Sequence, residues 1–211
     1  MTLASERRRL QKLSLYENEA RSSGHRLIAG VDEAGRGPLA GPVVAAACIL
    51  PHDYFLEGVD DSKKLTPKKR FELFHEITQD PEISYGVGVI DAQIIDEINI
   101  LRATLEAMLH AVARLSVKPD YILVDGPHLP KFDIPALPII DGDALSVSIA
   151  VASIIAKETR DQMMMHYHTI YPDYGFDRHK GYGTQEHVRA LEQYGPCLIH
   201  RKTFRWRARV K

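Results

Sequence analysis

Several features are scarce in this chain of 211 residues, and each scarcity excludes a class of protein. Two cysteines, Cys48 and Cys197, are too few for a disulfide framework, which favours a reducing compartment. The longest apolar run, residues 43–50, is far too short to span a bilayer. The first ten residues, MTLASERRRL, lack the apolar core of a secretory signal. We therefore expect a cytoplasmic protein with no membrane segment.

Net charge is also scarce, because 27 Lys and Arg residues nearly balance 28 Asp and Glu residues. A histone-like polycation is therefore excluded. The charge is uneven, however: residues 200–211 contain six Lys and Arg residues and no acid. Such a basic tail is most often only solvated, but it also suits contact with phosphates. Apolar residues at 45% and charged residues at 26% are typical of a globular protein.

Apolar patterning predicts an α/β fold with a mixed central sheet flanked by helices. The predicted strands cover residues 27–31, 43–50, 83–90 and 121–124, the first two forming a hairpin. The predicted helices cover residues 5–21, 66–78, 94–115 with a break near Asn99, 146–170 and 184–194. Residues 127–138 are predicted to be a loop. We expect one domain over residues 1–211, with about 171–211 as a small C-terminal helical extension and a monomer as the default state.

Four carboxylates lie where predicted strands end or a helix begins. Asp32 and Glu33 follow the first strand, Asp125 follows the fourth, and Asp143 precedes the long helix. Any one of them is most simply a cap of a turn. Two adjacent acids repel each other unless a cation neutralises them, and carboxylate oxygens are preferred ligands of Mg²⁺ and Mn²⁺. The set therefore indicates a two-metal phosphoryl-transfer site, with Asp141 as an alternative to Asp143.

Three further segments suit contact with a nucleic acid. Gly35, Arg36 and Gly37 directly follow the first acids, and glycines let a backbone approach a ligand closely. Lys63 stands in a charged turn before a helix, and Tyr182 stands between two glycines. Each has a plainer explanation, since the glycines suit an ordinary turn, the lysine an exposed one, and the tyrosine an apolar anchor. A tyrosine in such a place also stacks on a base or a sugar.

Taken together, these residues fit the pattern of a known family. The run AGVDEAGRGPLAGPVV at residues 29–44 resembles the opening motif of bacterial ribonuclease HII. Further segments are similar to that family in the same order: DSKKL at 61–65, NIL at 99–101, VDG at 124–126, GD at 142–143, ASIIAK at 152–157 with RD at 160–161, and HKGYG at 179–183. The resemblance implies a ribonuclease H-like fold with a C-terminal helical extension.

The resemblance also implies roles for individual residues. Four carboxylates would bind Mn²⁺ or Mg²⁺ and form the catalytic centre: Asp32, Glu33, Asp125 and Asp143. Residues of the substrate site would read the ribose 2′-hydroxyl, pack on the sugar, or contact the backbone: Gly35, Arg36 and Gly37; Tyr182; Lys63 and Asn99. The implied substrates are RNA–DNA hybrids and duplex DNA with embedded ribonucleotides. Cleavage on the 5′ side of a ribonucleotide would leave 3′-hydroxyl and 5′-phosphate ends.

Two other functions also fit parts of the sequence. Another two-metal nuclease or strand-transfer enzyme of the same fold would use the carboxylates but would not need a reader of the 2′-hydroxyl. A nucleic-acid-binding module would use neither, and its acids would only cap turns. An internal ribonucleotide in a labelled duplex distinguishes the first alternative, and the metal dependence of cleavage distinguishes the second.

Overall fold

The structure is a computed structural model that describes residues 3–52, 54–60, 62 and 64–206. Its strands are β1 (Ile28–Ala34), β2 (Val43–Ile49), β3 (Ser84–Ile90), β4 (Tyr121–Asp125) and β5 (Ala136–Ile139). Its helices are α1 (Leu3–Leu13), α2 (Leu15–Ser22), α3 (Pro67–Gln79), α4 (Ala92–Ile98), α5 (Ile100–Ala113), α6 (Val147–Ile170), α7 (Phe176–His179) and α8 (Gln185–Tyr194). Across the described residues, none of the helices combines the length and the apolar content needed to cross a bilayer.

The five strands form one mixed sheet in the order β3-β2-β1-β4-β5. The predicted hairpin of β1 and β2 is confirmed, and β3 continues the antiparallel half. β4 and β5 run parallel to β1 on its other side. β1 is therefore the strand at which the sheet changes from antiparallel to parallel. The carboxyl ends of β1 and β4 point towards the same edge of the sheet. Sites in α/β sheets collect at such points, outside the carboxyl ends of the strands.

Helices cover both faces of this sheet, as the apolar pattern predicts. α6 packs on one face with α3 and α1, whereas α4 and α5 pack on the other. Every residue of β2 is buried, which explains its unbroken apolar sequence. The approach of α6 is close at Gly30, where a methyl group would lie 2.1 Å from the backbone carbon of Ser148. This contact fixes the position of β1 against α6.

Two strand predictions require correction. β1 does not end before Asp32 and Glu33 but continues to Ala34, because its residues stay paired with β2 as far as Val44. The predicted loop 127–138 contains the start of β5. Pro138 masked this strand in the sequence, but β5 pairs only with β4, and an edge strand tolerates proline.

The helix boundaries follow from capping side chains that the sequence shows. The side chains of Thr66, Ser146 and Thr184 accept a backbone N–H of the first turn of α3, α6 and α8. The predicted break near Asn99 is confirmed, because Asn99 has a φ of 68° between α4 and α5. The single helix expected over residues 5–21 is instead two helices, which meet at Ser14.

The chain after α6 packs around its own apolar cluster. Phe176 and Leu191 are buried there against Met164 of α6 and Ala40. The last described residues, 195–206, form a C-terminal segment that is irregular, as expected, apart from a bridge between Ala40 and His200. The predicted helical extension is thus present as α7 and α8. That residues 1–211 form one domain stays a prediction.

Candidate active site

Asp32 and Glu33 leave β1 on opposite faces, because neighbouring side chains alternate along a strand. Asp32 is 3% exposed and faces α6, where the Ser153 hydroxyl donates to its carboxylate. The backbone N–H of Glu33 donates to Asp32 Oδ1 at 2.6 Å. The Glu33 carboxylate lies 3.3 Å from an Nη1 atom of Arg36. Asp32 is therefore held rigidly, whereas Glu33 lies nearer to solvent.

The parallel strand β4 brings Asp125 to the same edge of the sheet. Val31 pairs with Val124, so the next residues, Asp32 and Asp125, lie side by side on neighbouring parallel strands. Asp125 Oδ1 accepts the backbone N–H of Gly142 at 2.7 Å. This bond ties the end of β4 to the short 3-10 helix that precedes α6.

Asp143 lies in that 3-10 helix, directly after the residue that binds Asp125. Asp143 is buried, whereas Asp141 is exposed in a left-handed backbone conformation with a φ of 55°. Of the two residues that the sequence left open, Asp143 is therefore the buried one, and it directly follows the residue that binds Asp125. Its assignment as a metal ligand stays a prediction.

The electrostatics of this edge favour a cation. Burial raises the pKa of Asp32 well above its usual range, and the negative charges of Glu33 and Asp125 raise it further. A divalent ion would relieve the same repulsion without a proton, and all the donors are oxygens, which suits Mg²⁺ or Mn²⁺. The residues thus fit such an ion by their chemistry and charge.

The arrangement of the predicted carboxylate ligands differs from a closed coordination shell. Among the residues that the structure describes, no three or more His, Cys, Asp and Glu side chains are arranged to hold one ion. Bonds to the backbone N–H groups of Glu33 and Gly142 turn Asp32 and Asp125 towards their own chain. Ligation by all four carboxylates would therefore require side-chain rotation, most of all by Glu33.

The loop between β1 and β2, residues 35–42, lies against the predicted tyrosine; we call it the Gly-rich loop. A methyl group at Gly37 would lie 3.8 Å from Cε1 of Tyr182. The backbone N–H of Leu39 donates to the carbonyl of Gly181 at 2.8 Å. Gly37 is exposed and the Tyr182 side chain is 44% exposed, so both face solvent together. The structure thus joins two segments that are far apart in sequence.

Arg201 holds the Gly-rich loop in place through hydrogen bonds, a role that the sequence did not reveal. It is 2% exposed, and its guanidinium donates to three carbonyl groups of the loop. Nη2 donates to Gly35 at 2.6 Å, Nη1 to Arg36 at 3.0 Å and Nε to Gly41 at 3.0 Å. The sequence placed Arg201 in a basic tail suited to phosphates. That interpretation is wrong for this residue, because its donors are all directed inward.

Arg160 of α6 joins the same loop to the segment that carries Tyr182. It is 1% exposed and donates to the carbonyls of Ala40, Pro42 and Lys180, each at 3.0 Å. Its guanidinium carbon lies 5.9 Å from the centre of the Tyr182 ring. Arg160 stands in the charged run KETRD at residues 157–161, and backbone carbonyl partners give no signal in a sequence.

The remaining predicted residues are placed less directly. Lys63 lies outside the described residues, but its neighbour Ser62 is buried and its hydroxyl lies 2.9 Å from that of Ser153. Since Ser153 donates to Asp32, the turn before α3 is linked to the carboxylates. Asn99 is exposed, and its side-chain oxygen accepts the N–H of Arg102. Within the described part of the chain, Asn99 makes no hydrogen bond to the carboxylates or the Gly-rich loop.

Comparison with known proteins agrees with this arrangement. The family model described as Ribonuclease HII matches residues 29–207. A Ribonuclease HII of Chlamydia trachomatis serovar L2 is 60% identical over 194 residues, which cover 92% of this chain and 89% of the relative. The solved ribonuclease H2 of Pyrococcus horikoshii has a TM-score of 0.70 and 30% identity, over 85% of this chain and 94% of that chain.

The fold extends to more distant proteins. The RNase HII in its complex with PCNA from Archaeoglobus fulgidus has a TM-score of 0.72 at 24% identity, over 87% of this chain and 97% of that chain. The predicted ribonuclease H-like fold is therefore confirmed. The family match spans both the carboxylates and the Tyr182 segment, and it sets aside a binding module that only caps turns. The chain belongs to the ribonuclease HII family, metal-dependent hydrolases that act as endoribonucleases on RNA–DNA hybrids.

Proposed function

We propose that this endoribonuclease also incises duplex DNA on the 5′ side of a single embedded ribonucleotide. The observation that carries the proposal is the contact of Gly37 with the Tyr182 ring at an exposed surface. The glycine backbone at Gly37 and the adjoining aromatic ring form one exposed surface that can contact a single ribose. The 2′-hydroxyl is the group that distinguishes RNA from DNA at a given nucleotide.

In this proposal, backbone groups of the Gly-rich loop recognise the 2′-hydroxyl of the ribose. Arg201 occupies the carbonyls of Gly35 and Arg36, so the 2′-hydroxyl is left to the other backbone groups of the Gly-rich loop. Tyr182 packs on the sugar beside the RNA–DNA junction. Lys63 and the amide nitrogen of Asn99 contact the phosphate backbone, as does the described basic residue Arg205 of the C-terminal segment.

The reaction is hydrolysis of one phosphodiester bond. The oxygen of a water molecule bonds to phosphorus in line with the leaving group, the bond from phosphorus to the 3′-oxygen breaks, and that oxygen takes up a proton. The products are a 3′-hydroxyl and a 5′-phosphate. Two ions of Mg²⁺ or Mn²⁺, held by Asp32, Glu33, Asp125 and Asp143, would supply activation of the water and neutralisation of the leaving oxygen.

The chain itself contributes orientation and charge. The Ser153 hydroxyl and the Glu33 N–H donate to the Asp32 carboxylate and fix its orientation. The Gly142 N–H does the same for Asp125. In the same proposal the enzyme is a cytoplasmic monomer whose partner is nucleic acid. Both described cysteines are free, in keeping with a reducing compartment.

The test is incision of a labelled DNA duplex with one ribonucleotide, in Mg²⁺, in Mn²⁺ and in chelator. We expect metal-dependent cleavage on the 5′ side of that ribonucleotide only. Tyr182→Ala is expected to lower kcat/KM for this substrate by about tenfold to a hundredfold, the value of one aromatic–nucleotide stack. Cleavage of long hybrids without incision of the single-ribonucleotide duplex would overturn the proposal while leaving the family's activity intact.

A further inference from the structure

Three buried histidines and a half-buried cysteine lie together against the segment that carries Tyr182. They are His179 from α7, His187 from α8, and His200 and Cys197 from the C-terminal segment. The rings of His179 and His187 stack with centroids 4.5 Å apart, and those of His187 and His200 lie 5.2 Å apart. Neither His187 nor His200 is more than 5% exposed. None of these residues belongs to the predicted site.

Hydrogen bonds to the backbone fix which ring nitrogens carry protons. The N–H of Cys197 donates to His200 Nδ1 at 2.9 Å, so that nitrogen is an acceptor and the proton of the neutral ring is on Nε2. The Tyr182 carbonyl lies 3.0 Å from His187 Nδ1, and because a carbonyl only accepts, Nδ1 carries the proton. His187 Nε2 is then bare, and it lies 2.9 Å from His200 Nε2.

These assignments form one consistent direction of donation. It runs from the Cys197 N–H to His200, from His200 to His187, and from His187 to the carbonyl of Tyr182. His179 is fixed in the same way, since the Gly181 N–H donates to its Nδ1 at 3.2 Å and its Nε2 lies 2.8 Å from the Tyr174 carbonyl. Every histidine of the cluster is thus neutral, with its tautomer determined by the backbone.

We propose that His187 and His200 are positioning residues, which fix the backbone of Tyr182 through this one-way chain and so hold its ring against the ribose. The inference rests on the proposed role of Tyr182 in the incision reaction. This chain of hydrogen bonds begins at Cys197, in the C-terminal segment. The same segment carries Arg201, which holds the Gly-rich loop. One segment therefore fixes both sides of the proposed ribose site, the loop through Arg201 and the ring through His200 and His187.

A proton added to His187 or to His200 would break this chain of hydrogen bonds. Protonation of His187 at Nε2 would place two N–H groups against each other, and protonation of His200 at Nδ1 would oppose the Cys197 N–H. Burial, and then the neighbouring histidines, lower the pKa of His187 and of His200 to about 4. The other titratable groups facing the cluster are Cys197, Tyr174 and, beside His179, the charged residues Asp177, Arg178 and Glu186.

Substitutions of His187 test the two bonds separately. Asparagine places its amide near the Nδ1 position and keeps a donor for the Tyr182 carbonyl, whereas glutamine reaches the Nε2 position and keeps only the link to His200. We expect His187→Gln to raise KM for the single-ribonucleotide duplex about threefold to tenfold, the value of one buried hydrogen bond, with kcat little changed. His187→Asn should lose less, because it keeps the donor to the Tyr182 carbonyl and gives up only the link to His200. His166→Ala, at an exposed histidine of α6, is the matched control.

A double-mutant cycle with Tyr182→Ala distinguishes positioning from general stability. Once the ring is gone, His187→Gln should cost no further incision, at a temperature well below the unfolding midpoint of every variant. Equal losses in His187→Asn and His187→Gln, or full additivity with Tyr182→Ala, would overturn the inference while the role of Tyr182 stands. If Tyr182→Ala alone incises like wild type, the proposed role of Tyr182 falls, and the positioning inference falls with it.

Unfolding by urea between pH 7 and pH 5 gives a readout without activity. The unfolded chain takes up histidine protons near its ordinary pKa of 6.5, but the folded chain does not until about 4, so stability falls as the pH is lowered through this window. We expect a smaller fall in His187→Asn, because one of the imidazoles is absent. An unchanged pH dependence would contradict the buried neutral cluster.

Discussion

At the scale of single residues, Asp125 offers a clean test of the metal site, because its two oxygens have different tasks. Oδ1 accepts the Gly142 N–H and serves the fold. Asparagine keeps that acceptor but removes the charge that a metal ion needs. We expect Asp125→Asn to abolish cleavage while folding and hybrid binding in chelator are largely retained. The measurements are single-turnover cleavage and a binding titration.

Asp141→Asn is the matched control for that prediction. Asp141 is exposed and in a left-handed conformation that asparagine tolerates, so cleavage should be unchanged. Loss of cleavage in Asp141→Asn with activity retained in an Asp143→Asn variant would exchange their proposed roles. Full activity of Asp125→Asn would remove Asp125 from the metal ligands altogether.

The predicted metal ligands were visible in the sequence because acids at the end of an apolar strand are unusual. The residues that hold the loops were not. Arg201 looked like part of a solvated tail, and nothing in the sequence singled out His187. Their partners are backbone carbonyl groups, which carry no sequence signal, and those carbonyls are close only after the chain has folded.

At the scale of elements, the packing of α6 on β1 positions Asp32 against Ser153. A methyl group at Gly30 would meet the backbone of Ser148 and Ile149 at 2.1 and 2.4 Å, and backbone atoms cannot turn away. We expect Gly30→Ala to lower the free energy of unfolding by about 1–3 kcal/mol and also to lower kcat, since β1 and α6 must separate. Urea unfolding and cleavage rates measure the two effects.

Gly88→Ala is the comparison within the same sheet. Its methyl group would lie 1.9 Å from the carbonyl oxygen of Ala107 on α5, on the opposite face and on a different strand. It should destabilise the protein similarly but leave kcat of the folded enzyme unchanged. An equal loss of kcat in both variants would mean that Gly30 does not act through the position of Asp32.

The C-terminal segment also matters at the scale of elements. Its residue Arg201, rather than a strand or a helix, supports the Gly-rich loop. Arg201→Ala would leave the carbonyls of Gly35, Arg36 and Gly41 without their donor. We expect a loss of on the order of 3 kcal/mol in the free energy of unfolding, and a lower preference for ribonucleotide over deoxyribonucleotide junctions. Arg205→Ala, at an exposed residue of the same segment, should affect neither. A destabilised variant with unchanged preference would limit Arg201 to a structural role.

The sequence predicted most elements because capping residues and apolar runs are local. Thr66, Ser146 and Thr184 each mark a helix start that the structure confirms. β5 was missed because its existence depends on β4, with which it pairs, and not on its own composition, which includes Pro138. The end of β1 was misplaced for a similar reason, since pairing with β2 carries the strand past Asp32.

At the scale of the whole molecule, the burial of Asp32 close to Glu33 and Asp125 makes the metal-free fold less stable than it would otherwise be. Folding raises the pKa of Asp32 above its ordinary value of 3.8, so the folded state binds this proton more tightly and stability falls as the pH rises above that value. A bound divalent ion removes the penalty. At a hundred times its dissociation constant, it should add about 2.7 kcal/mol to the free energy of unfolding.

Asp32→Asn separates the two contributions. In chelator it should raise the unfolding midpoint relative to wild type, because a buried charge disappears, and Mn²⁺ should then add little. Thermal unfolding with and without Mn²⁺ is the measurement, and Asp173→Asn, at an exposed acid after α6, is the control. A variant that gains as much stability from Mn²⁺ as wild type does would show that Asp32 is not a ligand.

The position of the C-terminal segment beneath the Gly-rich loop has a consequence for protein synthesis. A ribosome releases the proposed metal ligands first, since all four lie before α6. It releases Tyr182, His187, His200 and Arg201 only after α6. A nascent chain therefore contains all four proposed metal ligands before it contains the residues that hold the Gly-rich loop and the Tyr182 ring in place. The proposed selectivity for ribose therefore depends on residues that are synthesised after the proposed metal ligands.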